Sequence, residues 1–166
     1  MRLSVINMLC VSGFGLGAAM QEVPEANYTS PNGVGIYNPE TSIDPSGPWS
    51  LMSIAGDTVY IAGMRGIFPT NNTAPPPGYL RVKQAFLNMQ FLAEYSGARL
   101  EDCVRLVVYV SDMYRYRPVV NRVQEELWAG GGGRYPPRTI VEAQRLNEDD
   151  ICEVEGTFYL GQKGRG

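Results

Sequence analysis

The order of strand and helix signals predicts an α+β fold. It is a two-layer sandwich in which a six-stranded or similar, mostly antiparallel sheet carries two helices on one face. Three observations predict it. Two amphipathic helices, Tyr79–Ser96 and Tyr116–Trp128, flank a nearly continuous apolar strand, Cys103–Val110. A hairpin signal precedes them, and two more strands follow.

The hairpin comes first. Trp49–Ala55 and Thr58–Met64 are rich in β-branched and aromatic residues, and Gly56-Asp57 between them is a turn signal. Phe68–Gly78 carries four prolines and reads as a loop. In Tyr79–Ser96, Val82, Ala85, Phe86, Met89, Leu92 and Ala93 recur at three- and four-residue spacing, and Gly97 terminates the run. The strand Cys103–Val110 is apolar without alternation from Leu106, as expected of a strand flanked on both sides. In Tyr116–Trp128 the helical stripe is Val119, Val120, Val123, Leu127 and Trp128, with Pro118 in the first turn and Gly130–Gly133 as terminator. The closing strands are Arg138–Gln144 and Ile151–Leu160.

Upstream, Arg2 precedes an apolar stretch from Leu3 to Val11, with small residues at Gly17 and Ala19. This predicts a signal peptide over residues 1–19 and a secreted or endomembrane location, a mitochondrial presequence being the alternative. Asn27-Tyr28-Thr29 and Asn71-Asn72-Thr73 fit the glycosylation sequon. Residues 20–46, rich in Pro, Gly, Asn and Ser, read as an extended arm, and 47–166 as the folded domain.

Composition narrows the chemistry. The chain of 166 residues has no histidine, which removes Ser-His and Cys-His nucleophile pairs and most catalytic zinc sites. Proton transfer falls to carboxylates, tyrosines, lysine, cysteine or water. Net charge is −3 with no basic run, so neither nucleic acid nor, after leader cleavage, a membrane is an expected partner. Cys103 and Cys152 read as small buried hydrophobes, or as a pair if the fold joins them. No metal and no cofactor is expected.

Several stretches, in order, resemble one family. Gly47-Pro48-Trp49-Ser50 looks like its Gly-Pro-Tyr start, and Ala62-Gly63-Met64 stands at its Ser-Gly-Gln. Val110-Ser111-Asp112-Met113 resembles the end of its strand, and Val120-Asn121 its Val-Asn. Pro137-Arg138-Thr139-Ile140-Val141-Glu142, Arg145-Leu146 and Glu153-Val154-Glu155 resemble its Pro-Ala-Arg-Ser-x-Val-Glu, Arg-Leu and Glu-Ile-Glu. The chain from about Gly47 to Leu160 thus resembles the RidA (YjgF-type) proteins. The resemblance implies a chorismate-mutase-like fold, a homotrimer with sites between subunits, and enamine/imine deaminase activity. It implies that Arg138 binds a substrate carboxylate, that Glu153 orients or activates water, and that Trp49, Ala62, Gly63, Asn121 and Ile140 line the pocket. A planar guanidinium suits a carboxylate because it offers two parallel donors at any working pH. Trp49, Ala62, Met64 and Ile140 depart from the family pattern and make the pocket more apolar and aromatic. Three readings follow: a deaminase of 2-imino acids, a related enzyme of a secondary-metabolite pathway acting on a larger apolar substrate, and a non-catalytic ligand-binding trimer.

Overall fold

The computed structural model describes residues 23–161; the expected signal peptide and Cys10 lie outside them. The elements are β1 (Tyr28–Thr29), β2 (Gly35–Tyr37), β3 (Met52–Ala55), β4 (Thr58–Arg65), α1 (Tyr79–Tyr95), β5 (Cys103–Val110), α2 (Met113–Leu127), β6 (Arg138–Glu142) and β7 (Cys152–Tyr159). One sheet runs in the order β1-β2-β3-β4-β7-β5-β6. Every pairing is antiparallel except β5 with β6. Both helices pack on it, so the two-layer α+β class holds, with seven strands in place of about six.

The additional strands come from the stretch read as an extended arm. Local polar chemistry folds it. Ser30 Oγ accepts from the Val34 N–H, and the Gly33 N–H, at a φ of 80°, donates to the Ser30 carbonyl. That tight turn sends β2 back along β1. Asn38 then accepts from the Leu51 N–H at 2.8 Å, and Tyr37 and Ile43 are buried. Two large apolar side chains among many turn residues are enough to dock the segment.

The core forms where the α1 stripe meets the sheet. Val82, Ala85, Phe86, Met89, Leu92 and Ala93 are all buried, as the spacing predicts. They meet the inward residues of β4, β5 and β7, among them Val59, Leu106, Val108, Val154 and Phe158. Strand β7 shows the two-residue period plainly: Cys152, Val154, Gly156 and Phe158 point inward, while Glu153, Glu155, Thr157 and Tyr159 face the open side. The open face also carries Tyr60 and Val141, both exposed.

Helix α2 starts three residues earlier than its apolar stripe suggests. Asp112 caps it, accepting from the Arg115 N–H at 2.9 Å, a cap worth about 1 kcal/mol. Pro118 therefore lies inside the helix, not in its first turn. The carbonyl it leaves unpaired belongs to Tyr114, which is 96% exposed, so solvent meets the loss. Cys103 and Cys152 do not pair. They lie near opposite ends of the β5–β7 ladder, Cys103 facing Phe158 and Cys152 facing Val110, and both are free and buried.

Candidate functional site

Two half-sites form on different parts of the sheet. The first joins α2 to the start of β6. Asn121 and Gln124, three residues apart, share one face of α2. Arg138 opens β6 opposite Leu106 of β5. Its Nη1 donates to Gln124 Oε1 and its Nη2 to Asn121 Oδ1, each at 2.8 Å. These residues, with Glu125, Tyr135 and Pro136, line a cleft of about 380 Å³.

The electrostatics of Arg138 are unusual for a half-buried cation. Both partners are neutral amides, and among the described residues no carboxylate lies within ion-pair distance. Burial, and then the charge of Arg117, hold its pKa below the usual arginine value. The guanidinium nevertheless keeps its proton at any working pH. A positive charge thus sits at the cleft wall, oriented but not neutralised. Each terminal nitrogen retains an N–H beyond the one given to its amide. An incoming carboxylate would satisfy both charge and donors.

Ile140 lies two residues along β6, its side chain packed toward the core. The parallel ladder begins with the Leu106 N–H donating to Pro137 O and ends with the Ala143 N–H donating to Val110 O. That alternation engages the odd-numbered amides of β6. The Ile140 N–H is left on the outer edge of the sheet, beside Arg138.

The second half-site is built on a bulge in β4. Ile61 pairs with Gly156 and Met64 with Val154, so Ala62 and Gly63 together oppose Glu155. The bulge turns Gly63 onto Glu153: a Cβ there would stand 3.0 Å from Glu153 Oε2. Glycine leaves that carboxylate its room. Ala62 lines a second cleft of about 290 Å³ with Ile36, Ser50, Met52, Ser53, Tyr60 and Ile61. Trp49, next to Ser50, packs partly buried against the core.

Glu153 is half-buried at the sheet's open face. Burial raises its pKa most, the Asp150 carboxylate raises it further, and Arg65 opposes both. The carboxyl therefore titrates closer to neutral pH than a solvated glutamate, which suits proton exchange with water.

One chain does not bring Arg138 and Glu153 together. Arg138 lies opposite Leu106, which faces Gly156, whereas Glu153 is three residues further along β7. Two strand spacings and three residues of rise separate them by roughly 14 Å. The expected pocket residues divide accordingly. Asn121, Arg138 and Ile140 form one half, and Ala62, Gly63 and Glu153 the other, with Trp49 flanking its cleft.

Gln124 and Tyr135 are functional candidates that the sequence reading missed. Gln124 carried a legible signal: it is a polar residue inside the Val120–Val123–Leu127 stripe, and it is buried. Tyr135 sits among prolines and glycines and carried none.

The family described as Endoribonuclease L-PSP matches residues 39–159. A "2-iminobutanoate/2-iminopropanoate deaminase" from Dermatophagoides farinae is 30% identical over 117 residues, covering 70% of this chain and 88% of its own. A "probable translation initiation inhibitor" from Rhodopseudomonas palustris, of known structure, is 42% identical with a TM-score of 0.71, covering 76% of this chain and 97% of its own. The RidA structure from the Antarctic bacterium Psychrobacter sp. is 26% identical with a TM-score of 0.69, covering 75% and 97%. With its fold, its β-sheet register and these likenesses, the chain belongs to the RidA (YjgF) family, whose shared domain is described as Endoribonuclease L-PSP.

Proposed function

We propose that the protein hydrolyses 2-imino acids to 2-keto acids and ammonia, as an assembly in which the Arg138 half-site of one subunit meets the Glu153 half-site of the next. The observation that carries the reading is Arg138: an oriented guanidinium at a cleft wall, held only by the amide oxygens of Asn121 and Gln124. The substrate carboxylate docks there, helped by the Ile140 N–H. Glu153 takes a proton from water as the water oxygen bonds to the imine carbon. The nitrogen takes up that proton, giving the neutral carbinolamine; Glu153 then accepts the hydroxyl proton and returns it to nitrogen as the C–N bond breaks, so that ammonia leaves and C=O remains. The deaminase relative supports this chemistry. The family's endoribonuclease description fits less well with a chain that has no histidine and a net charge of −3.

A homotrimer supplies the missing neighbour. The open sheet face exposes Tyr60, Val141 and Tyr159, apolar surface that ring closure would cover. The cleft beside Ala62, walled by Ile36, Met52 and Ile61, favours a substrate with a larger apolar side chain than the smallest imino acids.

The test is direct. An imine generated in situ should release keto acid faster with the protein than in buffer. Wild type that leaves the decay at the buffer rate overturns the proposal. The leucine-derived imine should give a higher kcat/KM than 2-iminopropanoate; the reverse order removes the apolar-substrate reading.

Glu153→Gln is expected to lower kcat about 100-fold with KM little changed, because the carboxylate anchor is untouched. It should also raise Tm at neutral pH. The sign follows from the raised folded pKa. Ionising Glu153 costs more in the folded than in the unfolded protein, so its contribution favours folding at low pH and is lost as pH rises through the folded pKa. The Tm advantage of the glutamine variant should shrink as pH falls through the folded pKa and vanish below about pH 4, the ordinary glutamate range. Melting curves at several pH values measure it.

A further inference from the structure

We propose that Arg65 is a positioning residue for Glu153: it clamps the strained turn before β7 and so sets the placement of that carboxylate. The inference rests on the reading of Glu153 as the group that handles water.

Arg65 ends β4 directly opposite Glu153 of β7. Its side chain is almost wholly buried and points into the β6–β7 connection. Nε donates to Asp150 Oδ2 at 2.9 Å, and Nη2 donates to Glu148 Oε2 at 3.0 Å. Asp150 is buried and has Arg81 Nη1 at 3.9 Å from its other oxygen. The Arg65 backbone is pinned as well: Asn88 Nδ2 donates to the carbonyls of Arg65 and Ile67, both at 2.8 Å.

What the guanidinium grips is a turn that a free chain would avoid. Glu148 and Asp149 are consecutive non-glycine residues at φ of 50° and 56°, in the left-handed region. Such conformations persist only where surrounding contacts hold them. Arg65 holds this pair from both sides, through Glu148 within it and Asp150 just after it. Asn147 leads into the turn, and its backbone favours the ionised form of the Glu153 carboxylate. Arg65 therefore reaches Glu153 in two ways, across the β4–β7 ladder and through the turn that leads into its strand.

The charges around Glu153 are consistent with that role. Asp150 and Glu155 on its own strand and the turn before it disfavour ionisation, Arg65 across the ladder favours it, and Tyr109 faces it from β5. Cys152 precedes it with its side chain turned to the core. Arg65 supplies the nearest positive charge among these groups. A structural ion pair alone would not need two acidic partners spanning a strained turn beside the proton-handling residue.

The test uses the full chain and three variants, none of which leaves Arg65 or Asp150 as an unpaired buried charge. Arg65→Lys keeps the charge but cannot bridge both carboxylates. Glu148→Gln cuts the solvent-side leg only. Arg65→Met with Asp150→Asn removes the buried pair together. In all three, kcat for the imino acid is expected to fall about tenfold or more, with KM within twofold of wild type, because misplacement acts on the water step and Arg138 is intact. The acid limb of the kcat/KM profile should move to higher pH in Glu148→Gln, and carbon-13 titration of the Glu153 carboxyl should move with it. Folded variants whose Glu153 titration and pH limb match wild type overturn the proposal, even if Tm falls, since that is what a purely structural pair would give. If wild type turns over no imine yet the Glu153 titration shifts, the proposed reaction fails and the positioning role stands.

Discussion

Replacing Arg138 with alanine is expected to lower kcat/KM for 2-iminobutanoate by roughly 30- to 5,000-fold, mostly through a higher KM. Removing one partner of a desolvated charge pair costs about 2–5 kcal/mol, and each 1.36 kcal/mol is a factor of ten. The carboxylate of the imino acid does not react, so it is held about equally in the ground and transition states. Its loss therefore appears as weaker binding more than as slower turnover. The Glu153→Gln variant should show the opposite division. Arg138→Lys should recover only part of the loss, since an ammonium is a point donor and cannot meet Gln124, Asn121 and a carboxylate in one plane. Steady-state kinetics on the three variants separate these outcomes. An Arg138→Ala enzyme as active as wild type would remove the basis of the proposed function.

The largest expected effect on stability is at Gly66. This buried residue follows β4, and a Cβ there would lie 2.2 Å from the Arg81 carbonyl oxygen, 2.5 Å from Arg81 Cγ and 2.9 Å from its carbonyl carbon. The obstacle is mainly the backbone of α1, which cannot rotate aside. Asn88 tightens the constraint, because its bonds to the Arg65 and Ile67 carbonyls staple α1 to the chain on either side of Gly66. Gly66→Ala is expected to destabilise by about 3 kcal/mol, the upper part of the range for overpacking. For a chain of this size that lowers Tm by roughly 6–12 °C. Gly156→Ala provides the comparison. Its Cβ would meet Met89 Sδ at 2.8 Å and Phe158 Cε2 at 2.5 Å, side-chain atoms that can shift, so its Tm should fall less. Thermal melts of both variants test the order.

The sequence made some features legible because one physical cause governed them. The α1 stripe from Val82 to Ala93 is read from period alone, and all six of its apolar residues are buried. Cys103–Val110 is covered on both edges, by β7 and β6, as its apolar run from Leu106 implies. The start of α2 was misplaced because Asp112, not apolar spacing, decides where that helix begins. The hairpin of β1 and β2 escaped notice because its stability lies in Ser30, Gly33 and Asn38, side chains that elsewhere mark loops. At the candidate site, Arg138 and Glu153 were named from resemblance to a family. Their separation within one chain is a property of strand order, β7-β5-β6, which no local pattern encodes. The ion pair of Arg65 with Asp150 joins residues 85 apart in sequence and was invisible for the same reason.

The two buried cysteines have a consequence for how this protein meets oxidants. Burial pushes the Cys103 thiol up to about 12, and Cys152 is raised as well by burial and the acidic groups beside it. Thiolate is the form that reacts with peroxides and alkylating agents, so at neutral pH neither side chain offers a nucleophile while the fold is closed. The proposed reaction uses an arginine, a glutamate and water, none of them readily oxidised. A reaction centre built this way can keep working through oxidative conditions that silence thiol-dependent enzymes, and Cys103 and Cys152 become targets only in the molecules that have already opened.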